Sequence, residues 1–235
     1  MSVSKTKKFQ VAVWVSEETD LNLISEEDWI RIGKSTTHTV NANPTTNTFD
    51  YIDQTQPETE LERYAYSMDH DIATYRGNPD YEFAFERYRY ADVGDASKVR
   101  LLIVFFDHEN PAGVYAAFTS LATMSVSSAD YVNGVINVSF SFNESPINGV
   151  VKGNGSPVFI KAPDAPSIVI YENKMTISSN TPGADIMYTI DGKNPMIYGV
   201  KYSSEVELED NVTIKAVATK DDAFSRIIKS KFIKS

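Results

Sequence analysis

The chain has 235 residues, 42% of them hydrophobic and 23% charged, with a formal net charge of −10 at pH 7. That composition suits one large or two modest folded domains and argues against disorder as the main state. The absence of cysteine excludes disulfides, thiolate zinc sites and thiol nucleophiles, and the acidic balance argues against a protein that grips duplex phosphates.

The opening segment Met1–Lys8 is basic and polar. The apolar stretch Val11–Val15 that follows stops at Ser16-Glu17-Glu18, too early for a signal-peptide core. The longest unbroken apolar run, Leu101–Phe106, has six residues, against the roughly 20 that span a bilayer. The expectation is a chain folded in a cytoplasm, without membrane insertion.

Phe9–Val15 reads as a strand. Ser25-Glu26-Glu27-Asp28 has the form of a capping box, which predicts a helical turn before Trp29–Ile32. Gly33–Gln56 is rich in Thr, Asn and Ser, and predicts a long loop or an extended arm rather than core. Leu61–Tyr75 alternates at period two. Tyr64, Tyr66, Met68 and Ile72 form an apolar face, and Arg63, Ser67, Asp69, Asp71 and Ala73 a polar one.

Asn78-Pro79 predicts a helix start, with Asp80 and Glu82 in its first turn and Arg87 and Arg89 near its end. Tyr81, Ala84, Phe85 and Tyr88 supply an apolar stripe for packing on a sheet, and Gly94 a stop. Val99–Phe106 reads as a strand buried on both faces, with Asp107-His108-Glu109 as the turn after it. Tyr115–Ser128 and Val135–Phe142 are two more strands. On the last, Ile136, Val138, Phe140 and Phe142 oppose Asn137, Ser139 and Ser141; Thr119, Thr123, Ser125 and Ser127 make a similar small polar row.

Gly153–Pro157 and Ala162–Pro166 read as a linker. Charges balance over 161–235, so the whole −10 belongs to 1–160. The predicted organisation is therefore a domain at 1–160 and a small β-sandwich module at 161–235. In the module, Ile186, Tyr188 and Ile190 alternate up to Asp191-Gly192, a tight-turn dipeptide, and Thr181-Pro182-Gly183 marks the turn before it. Val212, Ile214, Ala216 and Ala218 alternate again, and Ile227–Ile233 closes the pattern.

Chemistry is not visible in the sequence. There is no phosphate-binding glycine loop, no nucleophile elbow and no paired-His motif; His38, His70 and His108 stand far apart. The expectation is no enzyme, no cofactor and no metal.

Trp29–Gly33, Tyr51-Ile52-Asp53, Tyr75–Asp80 with its aromatic helix, and Leu101–Phe106 together resemble the major tail (tail tube) proteins of long-tailed phages and prophages of Gram-positive bacteria. The second part is similar to immunoglobulin-like C-terminal modules of the chitobiase/hexosaminidase type. Thr181–Ala184, Tyr188–Gly192, Pro195, Tyr202 and Thr213–Ala218 carry that likeness.

The resemblance implies a mainly β fold: a tail-tube-type β-sandwich or barrel with one flanking α-helix, plus a small immunoglobulin-like sandwich. It implies a structural virion protein, assembled in the host cytoplasm as hexameric rings stacked into a tube for DNA ejection. The expected partners are other copies of the chain, tape measure and tail-completion proteins, and DNA in transit without specific binding. Acidic and hydroxyl side chains suit such a conduit, and Asp69, Asp71, Asn137, Ser139 and Ser141 are the candidates for its lumen. Thr36, Thr39, Asn41, Asn43, Thr46 and Asn47 are candidates for an arm between rings. Two other classes remain open. One is a carbohydrate- or cell-wall-binding protein, with weak glycan contact by Tyr171, Tyr188, Tyr198 or Tyr202. The other is a small hydrolase or enzyme accessory region.

Overall fold

The computed structural model describes residues 10–36, 39–53, 55–109, 112–153 and 157–234. The chain divides into two compact units. The first holds the described residues of 1–108, 117–146 and 154–158; the second holds those of 109–116, 147–153 and 159–235. The fold is mainly β.

The first unit is built on an antiparallel sheet. In chain order its strands are β1 (Val11–Ser16), β2 (Ile30–Ile32), β3 (Thr39–Asn41), β6 (Ser67–Ala73), β7 (Lys98–Glu109), β8 (Val114–Asp130) and β9 (Val135–Phe142), with β4 (Pro44–Phe49) and β5 (Glu58–Tyr64) forming a separate pair. Across the sheet the order is β2-β1-β7-β8-β9-β6-β3. Val13, Val15, Met68, Ile72, Leu101, Ile103, Met124, Ile136, Val138 and Phe140 form the core. On β6 and β9 the core residues are every second one, so these strands bury one face each, as their alternation requires. His70 sits on that inner face, 1% exposed, with Nδ1 3.1 Å from Ser35 Oγ.

A 3₁₀ turn at Glu26–Asp28 stands where the capping box predicts it. The Ser25 backbone N–H donates to Asp28 Oδ2 at 2.6 Å and its hydroxyl at 2.8 Å, and these two bonds hold the Asp28 carboxyl below its ordinary pKa.

Helix α1 (Pro79–Tyr90) covers the core face, but is turned relative to the expected stripe. Its buried residues are Asp80, Phe83, Ala84 and Arg87; Tyr81 and Phe85 are half-buried and stacked, and Tyr88 is exposed. The reason is polar. Asp80 Oδ2 accepts the backbone N–H groups of Gly33 and Lys34 at 3.1 Å each. Arg87 lies 3.7 Å over the Phe83 ring and donates to Glu17 Oε1 at 3.1 Å. Charged groups with such partners can be buried where unpaired ones cannot. The helix ends at Ala91, whose φ of 51° supplies the left-handed cap expected of Gly94; Gly94 instead opens a 3₁₀ turn.

Two strand readings also change. Tyr64 belongs to the fully exposed β5, not to the core face of β6, because the chain leaves the β-ladder at Ala65-Tyr66. Asp107-His108-Glu109 is the end of strand β7 rather than a turn.

The second unit contains β10 (Ile147–Lys152), β11 (Val158–Lys161), β12 (Ser167–Tyr171), β13 (Lys174–Ser178), β14 (Asp185–Thr189), the short helix α2 (Pro195–Tyr198), β15 (Val200–Lys201), β16 (Val206–Glu207), β17 (Val212–Lys220), β18 (Ala223–Phe224) and β19 (Ile228–Phe232). One sheet runs β12-β13-β16. The other runs β15-β14-β17-β18, with β19 also on β17. Met175, Ile177, Ile186, Leu208, Ile214 and Ala216 form their shared core, the sandwich pattern of alternating inward residues. Gly183 and Gly192 take φ of 73° and 77° in the two expected turns.

A smaller cluster joins Val114, Val150, Ile160 and Ala223, and Lys152 pairs with Asp222 at 2.9 Å. Gly149 is essential to this packing: a Cβ there would lie 2.2 Å from Ile160 O and 2.6 Å from the Phe159 ring. Gly149→Ala is expected to cost about 3 kcal/mol by forced overpacking, lowering Tm by roughly 6–12 °C in a scanning calorimeter. An unchanged Tm would contradict the close approach.

Candidate functional site

The most distinctive surface of the first unit is the outer face of four adjacent strands. Strand register sets its composition. Thr39, Asp69, Ser139 and Ser125 make one row across β3, β6, β9 and β8; Asn41, Ser67, Ser141 and Thr123 make the next. Asp71, Asn137 and Ser128 make a third. Directly behind these rows lie Met68, Ile72, Met124, Ile136, Val138 and Phe140 of the core. One period-two pattern thus produces both the dry face and the wet one.

The side chains on this face bond mainly to one another. Ser139 Oγ donates to Asp69 Oδ1 at 2.6 Å, and Ser128 Oγ to Asn137 Oδ1 at 2.7 Å. Asn137 Nδ2 donates to Asp71 Oδ1. Asn43 Nδ2 donates to Ser67 Oγ at 3.0 Å and Asn143 Nδ2 to Thr123 Oγ1 at 2.9 Å. At the end of the face Asp130 accepts N–H donors from Asn133 and Val132, which keep its carboxyl below the ordinary pKa. The three rows hold hydroxyls, amides and two carboxylates, Asp69 and Asp71, and no Lys or Arg.

The five residues expected on one polar strand face, Asp69, Asp71, Asn137, Ser139 and Ser141, are therefore brought together. The sequence row on β8 needs two corrections. A bulge between Val126 and Ser128 puts Ser128, not Ser127, opposite Asn137. Thr119 is fully buried, its hydroxyl donating to Leu101 O at 2.6 Å.

The six arm candidates separate. Thr36 donates its N–H to Asp71 O, and Thr39 and Asn41 lie on β3 beside Asp69 and Ser67, at the margin of the polar face. Asn43, with φ of 43°, stands at the bend, its Nδ2 also bonded to Ala65 O. Thr46 and Asn47 lie on β4, opposite Leu61 and Glu60. Within Gly33–Gln56, expected as a long loop or extended arm, Thr39–Asn41 joins the main sheet and Pro44–Phe49 pairs with β5 in a hairpin. Nearly every residue of it is exposed.

No group of three or more His, Asp or Glu side chains able to hold a metal occurs among the described residues, and no helix there is long and apolar enough to cross a membrane. In the second unit Tyr171 and Tyr198 are exposed, while Tyr188 and Tyr202 pack edge-to-face at 6.0 Å against the core.

The Fn3 associated family matches residues 175–232, from β13 through β19. The C-terminal part is thus an immunoglobulin- or fibronectin-like module, and the chain as a whole is a mainly β protein that carries one. No curated protein matches the chain.

Proposed function

We propose that this chain is a tube-forming structural protein, the major tail (tail tube) protein of a long-tailed phage or prophage. Copies join as hexameric rings, the rings stack, and DNA leaves through the channel. The observation that carries this reading is the polar face of β3, β6, β9 and β8. Its short hydroxyl and amide side chains already bond to each other, so they offer a sliding polymer little to hold. Its carboxylates repel phosphate, and its three registered rows carry no Lys or Arg to form the contacts that give DNA-binding proteins their affinity. The short strands β2 and β3 stand at the two ends of the strand order, where a strand of a neighbouring copy can add and continue the sheet into a closed barrel.

In this reading the protein works by self-association and catalyses nothing. Tape measure and tail-completion proteins meet the ends or bore of the tube, the virion is its final location, and the C-terminal module sits outside the channel. Electron microscopy of the purified chain tests it. Rings or tubes of uniform bore are expected; dispersed monomers at high concentration would overturn it, and glycan-dependent binding by such monomers would favour a wall-binding protein.

A further inference from the structure

The hairpin of β4 and β5 ends in an apolar tip. Its strands are Thr, Asn and Glu for most of their length, yet Phe49 and Tyr51 stack at 5.8 Å and Ile52 is completely exposed. Asp50 lies between Phe49 and Tyr51, and Asp53 follows Ile52. Three large apolar side chains at the end of a polar stalk are costly in water and bury no core of their own.

Elsewhere on the same unit lies a cleft of about 510 Å³ between the C-terminal end of α1 and β8. Tyr88, Val93, Met124 and Val126 give it an apolar lining, and Val93 is 79% exposed. Arg87 also lines it. Arg87 is 7% exposed, and its Nε–H is buried with no hydrogen-bond partner among the described residues. A buried donor left unpaired costs free energy, which an acceptor recovers once the Arg87 side chain turns toward the cleft that it lines.

We infer that the tip of one copy, Phe49–Asp53, docks in this cleft on a second copy. Ile52 and the stacked pair fill the apolar part, and a neighbouring carboxylate, Asp50 or Asp53, accepts from Arg87. Asp92, half-buried in the lining, disfavours a second carboxylate. The apolar contact therefore carries the affinity, and Arg87 fixes the register. A knob and a hole on different parts of one chain form a heterologous contact, which propagates head to tail and generates rings or filaments rather than closed dimers. The inference deepens the tube reading by naming where the arm is received, yet requires only that copies of the chain meet.

The absence of cysteine makes the test direct. Ile52→Cys and Val93→Cys are both at exposed positions, so neither threatens folding. The two single variants, one carrying a mass tag, are mixed, allowed to assemble and oxidised. The expected result is a tagged–untagged disulfide dimer, at least about tenfold over either variant alone, because disulfides need Cα atoms within about 7 Å. Thr46→Cys in place of Ile52→Cys should remove it. Dimers within Ile52→Cys alone, or none in the mixture, would overturn the inference. Tubes without the cross-link leave the tube reading standing and this contact wrong; the cross-link without tubes does the reverse.

Discussion

Arg100→Ala is expected to cost about 2–3 kcal/mol, less than for a fully buried ion pair because the Glu144 partner is 35% exposed and regains water. Arg100 lies on β7 with 6% exposure. Its Nε and Nη2 donate to Thr19 O at 3.0 and 2.6 Å, and its Nη1 to Glu144 Oε1 at 2.5 Å. The same carboxylate oxygen accepts the Leu121 N–H at 2.8 Å. One guanidinium thus ties the chain after β1 and the chain after β9 to the centre of the sheet. Truncation leaves the Thr19 carbonyl and the Glu144 carboxylate short of a donor. Arg100→Lys keeps the charge but loses the fork, and should recover only part of the loss. Urea unfolding checks both variants; a loss below about 1 kcal/mol for Arg100→Ala would mean that these contacts are not held in solution.

The second large effect is functional. Asp69→Lys combined with Asp71→Lys should leave folding and assembly intact, because both side chains are on the outer face and their partners Ser139 and Asn137 also have other surroundings in water. In a tube the same change places rings of cations along the bore. Phosphate contacts then form, so short duplex DNA should be retained by variant tubes about tenfold or more over the parent at low salt, with retention falling steeply as salt rises. DNA delivery by particles built from the variant should fall correspondingly. Equal DNA retention by parent and variant tubes would remove this face from the channel.

Some of this was legible in residue order because it is local. Val135–Phe142 alternates strictly, and β9 has those bounds. Ser25 and Asp28 are three residues apart, and their turn forms between them. The polar row of Asp69, Asp71, Asn137, Ser139 and Ser141 follows from period two on two strands, although only strand register could place Thr39, Thr123 and Ser128 beside it.

What escaped the sequence depends on distant partners. The rotation of α1 is set by Asp80 reaching Gly33 and Lys34, and by Arg87 reaching Glu17, contacts 46 to 70 residues apart along the chain. Periodicity ranks such residues as solvent-facing because it cannot see their partners. The bulge at Ser127 shifts one row by a residue with no glycine or proline to mark it. The β4–β5 hairpin lacks core residues, so its composition resembles a loop although its backbone is paired. Glu109–Ala116 and Ile147–Gly153 group with the C-terminal unit through Val114 and Val150, which meet Ala223 far along the chain.

The measurement that bears most directly on the proposed function is a cryo-electron microscopy reconstruction of the assembled protein, at a resolution that traces β6 and β9. The expected result is a tube whose inner wall is made of Asp69, Asp71, Asn137, Ser139 and Ser141, with Met68 and Phe140 buried behind them in each subunit. A tube with those five side chains on its outer surface, or an assembly without a bore, would contradict it.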